Sequence, residues 1–208
     1  MKHLYIIRHG ETEFNKTKRL QGRGINASLN EKGRLQADAV AAELQSYPIQ
    51  KIVTSSLVRT HESAQPLAES KNINIESWAE LDEMSFGDFE GEPFYEVLDH
   101  LKYLQNEWSY GNTTIPVPGG ESPEEVYQRA AKKLIEIVEN STESHIAVFI
   151  HGRLIRILLS GLLGLGLQNM QEIEHENGSI NHLTWQNGVF SSVELNITDH
   201  LHHIKNLV

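Results

Sequence analysis

Short apolar segments alternate with segments of helical periodicity along the chain, and this alternation most restricts the fold. Residues 2–7, 49–54 and 145–150 are apolar runs of strand length, and residues 74–78 indicate a shorter strand. Apolar spacing and capping signals predict helices over residues 30–45, 56–70, 94–108, 122–140 and 153–163. Alternating strands and helices favour a mostly parallel sheet with helices on both faces.

The C-terminal part of the chain departs from this alternation. Residues 180–185 and 189–195 are strand-like and are joined by Gln186-Asn187-Gly188, which is typical of a hairpin turn. We find no repeat, low-complexity tract or linker that would divide the chain. The sequence therefore predicts an α/β protein with three α/β/α layers, a C-terminal antiparallel hairpin and a single domain over residues 1–208.

Composition restricts the classes of function that the chain can perform. The sequence has 208 residues, no cysteine and a formal net charge of −10. Disulfides, thiolate nucleophiles and cysteine metal sites are therefore excluded, and nucleic acids and anionic membranes are disfavoured as partners. The first apolar run meets Arg8 too soon for a signal peptide or a spanning helix, so we expect a cytoplasmic protein.

Positively charged and imidazole side chains follow three of the predicted strands. Arg8 and His9 follow the first strand. Arg59 follows the second strand, and His151 follows the strand over residues 145–150. Taken singly, each is an ordinary residue of a strand end or helix start. Because the carboxyl ends of parallel strands meet at one edge of a sheet, together they predict a local anion site in an acidic protein.

These residues belong to motifs that resemble the histidine phosphatase superfamily, also called the phosphoglycerate mutase-like fold. The matching segments run from about residue 3 to residue 185 in the family's order. They include Arg8-His9-Gly10-Glu11-Thr12 with Asn15, Arg19-Leu20-Gln21-Gly22, Thr54-Ser55-Ser56-Leu57 with Arg59-Thr60, Leu81 to Gly91 around Glu83, Pro118-Gly119-Gly120-Glu121-Ser122, and Val148 with His151-Gly152. Their number and order make a chance match very improbable.

The resemblance implies roles for the residues of the predicted site. His9 would be the phosphorylated nucleophile, and Glu83 would protonate the leaving group. The phosphate-binding residues would be Arg8, Asn15, Gln21, Gly22, Arg59, His151 and Gly152. Arg8, Arg59 and His151 would also be catalytic, because they would hold the phosphoryl oxygens. Neighbouring arginines disfavour protonation of His9, and guanidinium groups match the charge of the transition state without a metal or other cofactor.

We therefore interpret the chain as a metal-independent phosphatase that hydrolyses small phosphate monoesters through a phosphohistidine intermediate. A bisphosphoglycerate-dependent phosphoglycerate mutase is the first alternative, although the chain lacks the long basic insertion expected after the acid-donor motif. A catalytically inactive module that binds phosphorylated ligands is the second. The expected partner is a small phosphorylated metabolite, and a homodimer is left open. Ribazole phosphate, phosphoserine, sugar phosphates and a broad range of esters all stay open as substrates.

Several residues fall outside the shared pattern. Arg153 stands where the family commonly has a small residue, and it either contacts a phosphate or carboxylate or points to solvent; Arg23 has the same alternatives. The loop over residues 21–29 is one residue longer than usual. The aromatic side chains between residues 94 and 110, with His100, either pack on the core, which we favour, or form a lid over the substrate. We expect His200, His202 and His203 to form a solvated tail rather than a metal site.

Overall fold

The computed structural model of the protein describes residues 1–205, so residues 206–208 of the predicted domain lie outside the described residues. The described chain contains one six-stranded sheet in the order β3-β2-β4-β1-β5-β6. The strands are β1 (Lys2–Arg8), β2 (Lys51–Ser55), β3 (Ile75–Trp78), β4 (His145–Ile150), β5 (Ile180–Gln186) and β6 (Val189–Ile197). The first four in sheet order run parallel, and β5 and β6 are antiparallel, as predicted.

Helices cover both faces of this sheet. They are α1 (Glu13–Lys16), α2 (Glu31–Leu44), α3 (Val58–Lys71), α4 (Leu98–Ser109), α5 (Pro123–Asn140), α6 (Gly152–Leu162) and α7 (His202–Lys205). Side chains of β1 alternate between the two faces: Leu4 and Ile6 pack with α4, α5 and α6, whereas Tyr5 and Ile7 pack with α2 and α3. The predicted three-layer α/β/α architecture is therefore confirmed. No helix within residues 1–205 is long and apolar enough to cross a bilayer.

Local sequence signals explain where α5 begins and how β5 and β6 are connected. Ser122 caps α5 by accepting from the Glu125 backbone N–H, and the Glu125 side chain returns a bond to the Ser122 backbone. At the predicted hairpin, Asn187 and Gly188 have φ of 52° and 81°. Two successive positive φ values fit the right-handed twist of a two-residue hairpin, and asparagine and glycine tolerate them best.

The segment around α4 differs from the sequence prediction. The helix begins at Leu98 rather than near residue 94, and only Trp108 among the aromatic side chains predicted to face the core is fully buried. Phe94, Tyr95, Tyr103 and Tyr110 are exposed by 41% to 76%. The prediction that most of these rings pack on the core is wrong, because the buried stripe of α4 is supplied by leucines and Trp108.

The C-terminal histidines also differ from the prediction of a solvated tail. His200 is buried, and its Nε2 lies 2.9 Å from the Gly178 carbonyl oxygen, to which it donates. His202 and His203 are exposed, as expected for a tail. The short helix α7 thus begins two residues after a histidine that is anchored to the loop before β5.

Three histidines meet on the α2/α3 face of the sheet, where β1, β4 and β5 are neighbours. His3 Nδ1 lies 2.9 Å from His182 Nε2, and the rings of His3 and His145 stack at 4.6 Å. Tyr5 hydroxyl lies 3.1 Å from His145 Nδ1, and its ring stacks on His182. Burial, together with the neighbouring imidazoles, lowers the pKa of His145 and of His182. The fold therefore favours the neutral forms of His145 and His182.

Acidification should destabilise the protein through this cluster. Unfolded histidines bind protons as the pH falls through about 6.5, whereas His145 and His182 in the folded protein resist protonation. Their contribution to the free energy of unfolding is therefore fully present above that pH and is lost as the pH falls below it. The free energy of unfolding, measured by urea denaturation at pH 7.5 and pH 5.5, should fall less steeply for His182→Gln than for the wild type. His61→Gln, which changes an exposed histidine of α3, is the control. Equal pH dependence of His182→Gln and the wild type would contradict this explanation.

Candidate active site

His9 follows β1 at the carboxyl edge of the sheet, and its side chain is buried. Its Nδ1 lies 2.7 Å from the Gly10 carbonyl oxygen. A carbonyl can only accept, so Nδ1 carries the ring proton and Nε2 keeps a free lone pair. Burial, reinforced by Arg59 and Arg8, holds the pKa of His9 well below its ordinary value. The ring is therefore neutral and nucleophilic at physiological pH.

The backbone on both sides of His9 is fixed by close packing. The Gly10 N–H donates to Ser63 Oγ of α3 at 2.9 Å, and Asn177 Nδ2 donates to the His9 carbonyl oxygen at 3.0 Å. A Cβ on Gly10 would lie 2.3 Å from the Gly33 carbonyl oxygen, so only glycine allows this approach to α2. Contacts from three separate segments thus determine the position of the imidazole.

A cavity of about 310 Å³ opens in front of His9. Its size is that of a site for a small ligand. The residues that line it include most of the predicted site and several further polar groups. They are Arg8, His9, Asn15, Arg19, Leu20, Gln21, Glu83, Phe86, Phe94, Gln105, Gly152, Arg153, Arg156 and His175.

Arg8 and Gly152 form one wall of this cavity. Arg8 Nη1 donates to His175 Nδ1 at 3.0 Å, and Arg8 Nε is buried with no partner among residues 1–205. A Cβ on Gly152 would lie 2.8 Å from His175 Cε1 and 3.0 Å from Arg8 Nε. Burial and the neighbouring arginines lower the pKa of His175 to about 2, so it stays a neutral acceptor for Arg8. The predicted Gly152 is therefore required for the close approach of α6 to Arg8.

Gln21 and Asn15 stand on the opposite side of the nucleophile. Gln21 Oε1 accepts from Thr12 Oγ1 at 2.7 Å, whereas Gln21 Nε2 is buried and has no partner within the described chain. Asn15 Oδ1 accepts from the Thr12 backbone N–H at 3.1 Å and from Asn177 Nδ2 at 3.3 Å. Both amides are held by their oxygens, which fixes the Gln21 amide nitrogen as a donor available to an anion.

Arg59 and His151 lie next to His9, and neither lines the cavity of the described chain. Arg59 is fully buried; its Nε donates to His151 Nδ1 at 3.2 Å, and its Nη atoms donate to the Ile25 and Gly22 carbonyl oxygens at 2.7 and 3.2 Å. The rings of His151 and His9 are 5.3 Å apart. His151 Nε2 lies 2.7 Å from Ser55 Oγ. The guanidinium group thus acts on His9 through its charge, while its donors bond to two carbonyl oxygens and to His151.

Gly22 has a different surrounding from the one predicted. A Cβ on Gly22 would lie 2.1 Å from Glu90 Oε1, and its carbonyl oxygen accepts from Arg59. It is not among the residues that line the cavity of the described chain. Gly22 therefore packs against Glu90 and Arg59, and its predicted part in binding phosphate stays a prediction from the sequence.

Glu83 caps the N-terminus of α6. Its Oε2 accepts from the Arg153 backbone N–H at 3.0 Å, and its Oε1 accepts from the Leu154 and Met84 N–H groups, each at 2.9 Å. A carboxylate is stabilised at a helix N-terminus by these unsatisfied N–H groups and by the helix dipole. The residue predicted to be the acid is thereby fixed to the same helix that carries Gly152.

Arg129 of α5 fixes the segment that carries Glu83. Arg129 pairs with Glu121, with Nε to Oε1 at 2.7 Å and Nη2 to Oε2 at 2.9 Å. The same guanidinium donates to the carbonyl oxygens of Glu80, Asp82 and Glu83. Arg23 joins this network by ion pairs with Asp82 and Glu121 and does not line the cavity within the described chain.

The sequence pattern missed two charged or titratable residues of the cavity, Arg156 and His175. Arg156 stands one helical turn after Arg153, a spacing that places both on one face of α6. His175 lies in a polar loop before β5, where only its proximity to Asn177-Gly178-Ser179 and a strand marks it as noteworthy.

Arg153 lines the cavity, whereas His100 is exposed and contacts Phe89. Within residues 1–205, no group of three or more His, Asp or Glu side chains is placed so that it could hold a metal ion.

Taken together, a neutral buried imidazole, guanidinium donors without a partner among residues 1–205 and a capping carboxylate form a site suited to an anion at the carboxyl edge of an α/β sheet. The family model of the histidine phosphatase superfamily (branch 1) matches residues 4–198. The chain therefore belongs to the histidine phosphatase superfamily.

Individual relatives carry more than one activity in their names. Phosphoserine phosphatase 1 of Hydrogenobacter thermophilus is 29% identical over 201 residues, covering 97% of this chain and 95% of the relative. A protein of Yersinia pestis named "Probable phosphoglycerate mutase GpmB" is 28% identical over 186 residues, covering 89% and 86%. The mycobacterial glucosyl-3-phosphoglycerate phosphatase in complex with VO3 superposes with a TM-score of 0.86 at 27% identity, covering 94% of this chain and 99% of that one.

Replacing Gly152 should show how tightly α6 is packed against Arg8. Gly152→Ala introduces a methyl group that His175 and Arg8 must move to accommodate, so we expect a loss of roughly 1–2 kcal/mol in the free energy of unfolding despite the better helix propensity of alanine. Urea denaturation measures the loss. The same substitution in a His175→Ala background should cost less, and an equal cost in both backgrounds would contradict the proposed contact.

Proposed function

We propose that the protein is a metal-independent phosphatase that hydrolyses small phosphate monoesters through a phosphohistidine on His9. The observation that carries this proposal is the Nδ1 proton of His9 held by the Gly10 carbonyl, which leaves Nε2 as a nucleophile. Membership of the superfamily and the phosphatase names of two relatives support it. A cytoplasmic location, a small-metabolite partner and a homodimer stay predictions from the sequence.

The proposed reaction has two displacements at phosphorus. His9 Nε2 attacks the phosphorus atom, the bond to the ester oxygen breaks, and Glu83 supplies the proton for the leaving alcohol. Water then attacks the phosphohistidine, Glu83 takes the water proton, and the nitrogen–phosphorus bond breaks to release inorganic phosphate. Negative charge on the equatorial oxygens of each transition state would be met by Arg8 and Gln21, whose Nε and Nε2 are the unpartnered donors described above.

Arg59 and His151 support this chemistry from their positions next to His9. Burial, and then the charge of Arg59, lowers the pKa of His9 and thus keeps the nucleophile neutral. His151 accepts from Arg59 and directs its other nitrogen to Ser55, so it holds that guanidinium in place. For both residues we propose an action on charge and orientation at His9, and their contact with the phosphoryl oxygens stays a prediction from the sequence.

Glu83 can act as an acid without leaving its helix cap. Oε1 accepts two N–H bonds, but Oε2 accepts a single one and keeps a lone pair for a proton. Glu83 also lines the cavity.

A phosphoglycerate mutase is the second candidate, and one observation favours it. The cavity holds Arg153 and Arg156 in addition to Arg8, which is more positive charge than the motifs alone indicate. A mutase shares the first displacement but returns the phosphoryl group to a second hydroxyl. Following both phosphate release and isomerisation of 3-phosphoglycerate separates the two activities, and a module that only binds phosphorylated ligands would show neither.

Removal of the nucleophile should abolish turnover. His9→Ala is expected to reduce kcat for p-nitrophenyl phosphate by roughly a thousandfold or more, because no other group supplies the attacking atom. Rapid acid-free quenching of the wild type with labelled substrate should trap label on the protein, and His9→Ala should trap none. His61→Ala, which changes an exposed histidine, is the control. Retention of substantial turnover by His9→Ala would overturn the covalent mechanism. Because the proposed reaction uses no metal ion, chelation by EDTA should leave wild-type turnover unchanged.

A comparison of substrates with different leaving groups tests the role of Glu83. Glu83→Gln should slow hydrolysis of alkyl phosphates by about 100-fold or more, whereas p-nitrophenyl phosphate, whose leaving group needs no proton, should be slowed much less. The ratio of the two rates separates acid catalysis from damage to the α6 cap, which would slow both equally. Glu96→Gln, an exposed acid of the same region, is the matched control.

A further inference from the structure

We propose that Arg153 and Arg156 form a second anion subsite that binds a carboxylate of the substrate. This inference rests on the proposed phosphatase function and names its substrate class: phosphate monoesters of small hydroxy acids or amino acids. The two arginines line the same cavity as His9, Arg8 and Glu83.

The first support is that the two side chains are held in place without being neutralised. Arg153 Nη1 and Arg156 Nε are buried and have no hydrogen-bond partner within residues 1–205. Neither guanidinium group makes an ion pair with a carboxylate among those residues. Buried guanidinium donors without a partner are costly, so a site of this kind suits an anion that arrives with the ligand.

The second support is that the fold positions both groups. The Arg153 guanidinium carbon lies 5.9 Å from the ring centroid of Trp108, a buried residue whose Nε1 donates to the Ile115 carbonyl oxygen at 2.8 Å. The backbone N–H of Arg153 is fixed by Glu83, as described for the α6 cap. Arg156 Nη1 donates to Gln171 Oε1 at 2.5 Å. Each arginine therefore keeps a defined orientation before any ligand binds, which reduces the entropic cost of binding.

The third support concerns the neighbouring negative charges. Glu83 acts electrostatically on Arg153, and Glu174 acts on Arg156. Carboxylates near the two arginines repel a doubly charged phosphoryl group more strongly than a singly charged carboxylate. Planar guanidinium groups also match a carboxylate bidentately. The cavity of about 310 Å³ limits the ligand to a short carbon skeleton between its two anionic groups.

The wild-type protein tests the proposal with three substrates of three carbon atoms. 3-Phosphoglycerate carries a carboxylate, glycerol 3-phosphate carries a hydroxymethyl group in its place, and 1,3-propanediol bisphosphate carries a second phosphate. We expect kcat/KM, from phosphate release, to be higher for 3-phosphoglycerate than for glycerol 3-phosphate by about 10- to 100-fold, the effect of one charge-assisted hydrogen-bonded pair. Equal values for these two, or a preference for the bisphosphate, would overturn the carboxylate subsite.

Substitution of Arg153 tests whether this residue causes the preference for the substrate with a carboxylate. Arg153→Gln should reduce the ratio of kcat/KM between 3-phosphoglycerate and glycerol 3-phosphate by about 10-fold or more, chiefly through KM. Arg153→Lys should restore part of the ratio, and Arg34→Gln, which removes an exposed arginine of α2, should leave it unchanged. A parallel loss with both substrates in Arg153→Gln would mean that Arg153 only supports the fold, and the proposal would fail.

Failure of the subsite can be distinguished from failure of the enzymatic proposal. If no substrate, including p-nitrophenyl phosphate, releases phosphate, the phosphatase function is wrong. The same pair of ligands is then compared by calorimetric titration of the wild-type protein. Tighter binding of 3-phosphoglycerate that is lost in Arg153→Gln would still support the subsite, and equal binding of both ligands would reject it.

Discussion

Burial of positive charge inside an acidic chain is the constraint on which the rest of the site depends. Guanidinium groups lose hydration at the carboxyl edge of the sheet, and burial accordingly lowers the pKa of Arg8, Arg59 and Arg153 to about 10. Only Arg59 is satisfied by carbonyl oxygens. Arg8 and Arg153, which line the cavity, each keep a buried donor without a partner among residues 1–205. This unfavourable state is stabilised by the surrounding core and would be relieved by a bound anion.

The central strands and three glycines hold these buried charged groups in place. Strands β1 and β4 are adjacent and buried on both faces, so the residues that follow them, His9 and Gly152, have little freedom. Glycines at positions 10, 33 and 152 let helices approach the strand ends more closely than any side chain would permit. Because packing in the interior is dense, displacement of one group by a few tenths of an ångström is transmitted to the next. The precision of the site is therefore a property of the core rather than of the loops.

Much of this could be predicted from the sequence, because strand ends and motif residues are local signals. The runs that became β1, β2 and β4 determined the parallel sheet, and His9, Arg8 and Gly152 follow from where those runs end. His175 could not be predicted, because it reaches Arg8 only after β5 pairs with β1 far along the chain. The orientation of Arg59 toward backbone carbonyls and the packing of Gly22 against Glu90 also depend on tertiary contacts. The exposed rings near α4 were mispredicted because aromatic content is a poor guide to which face a helix buries.

The contact between Glu83 and α6 separates the anchoring of this carboxylate from the choice of side chain at position 153. Position 153 holds the carboxylate through its backbone N–H, whereas its side chain extends over Trp108 into the cavity. Every residue except proline supplies the same N–H. During divergence, the side chain at this position can therefore change and alter ligand preference while the carboxylate remains seated, so new specificities can arise without rebuilding the reactive centre.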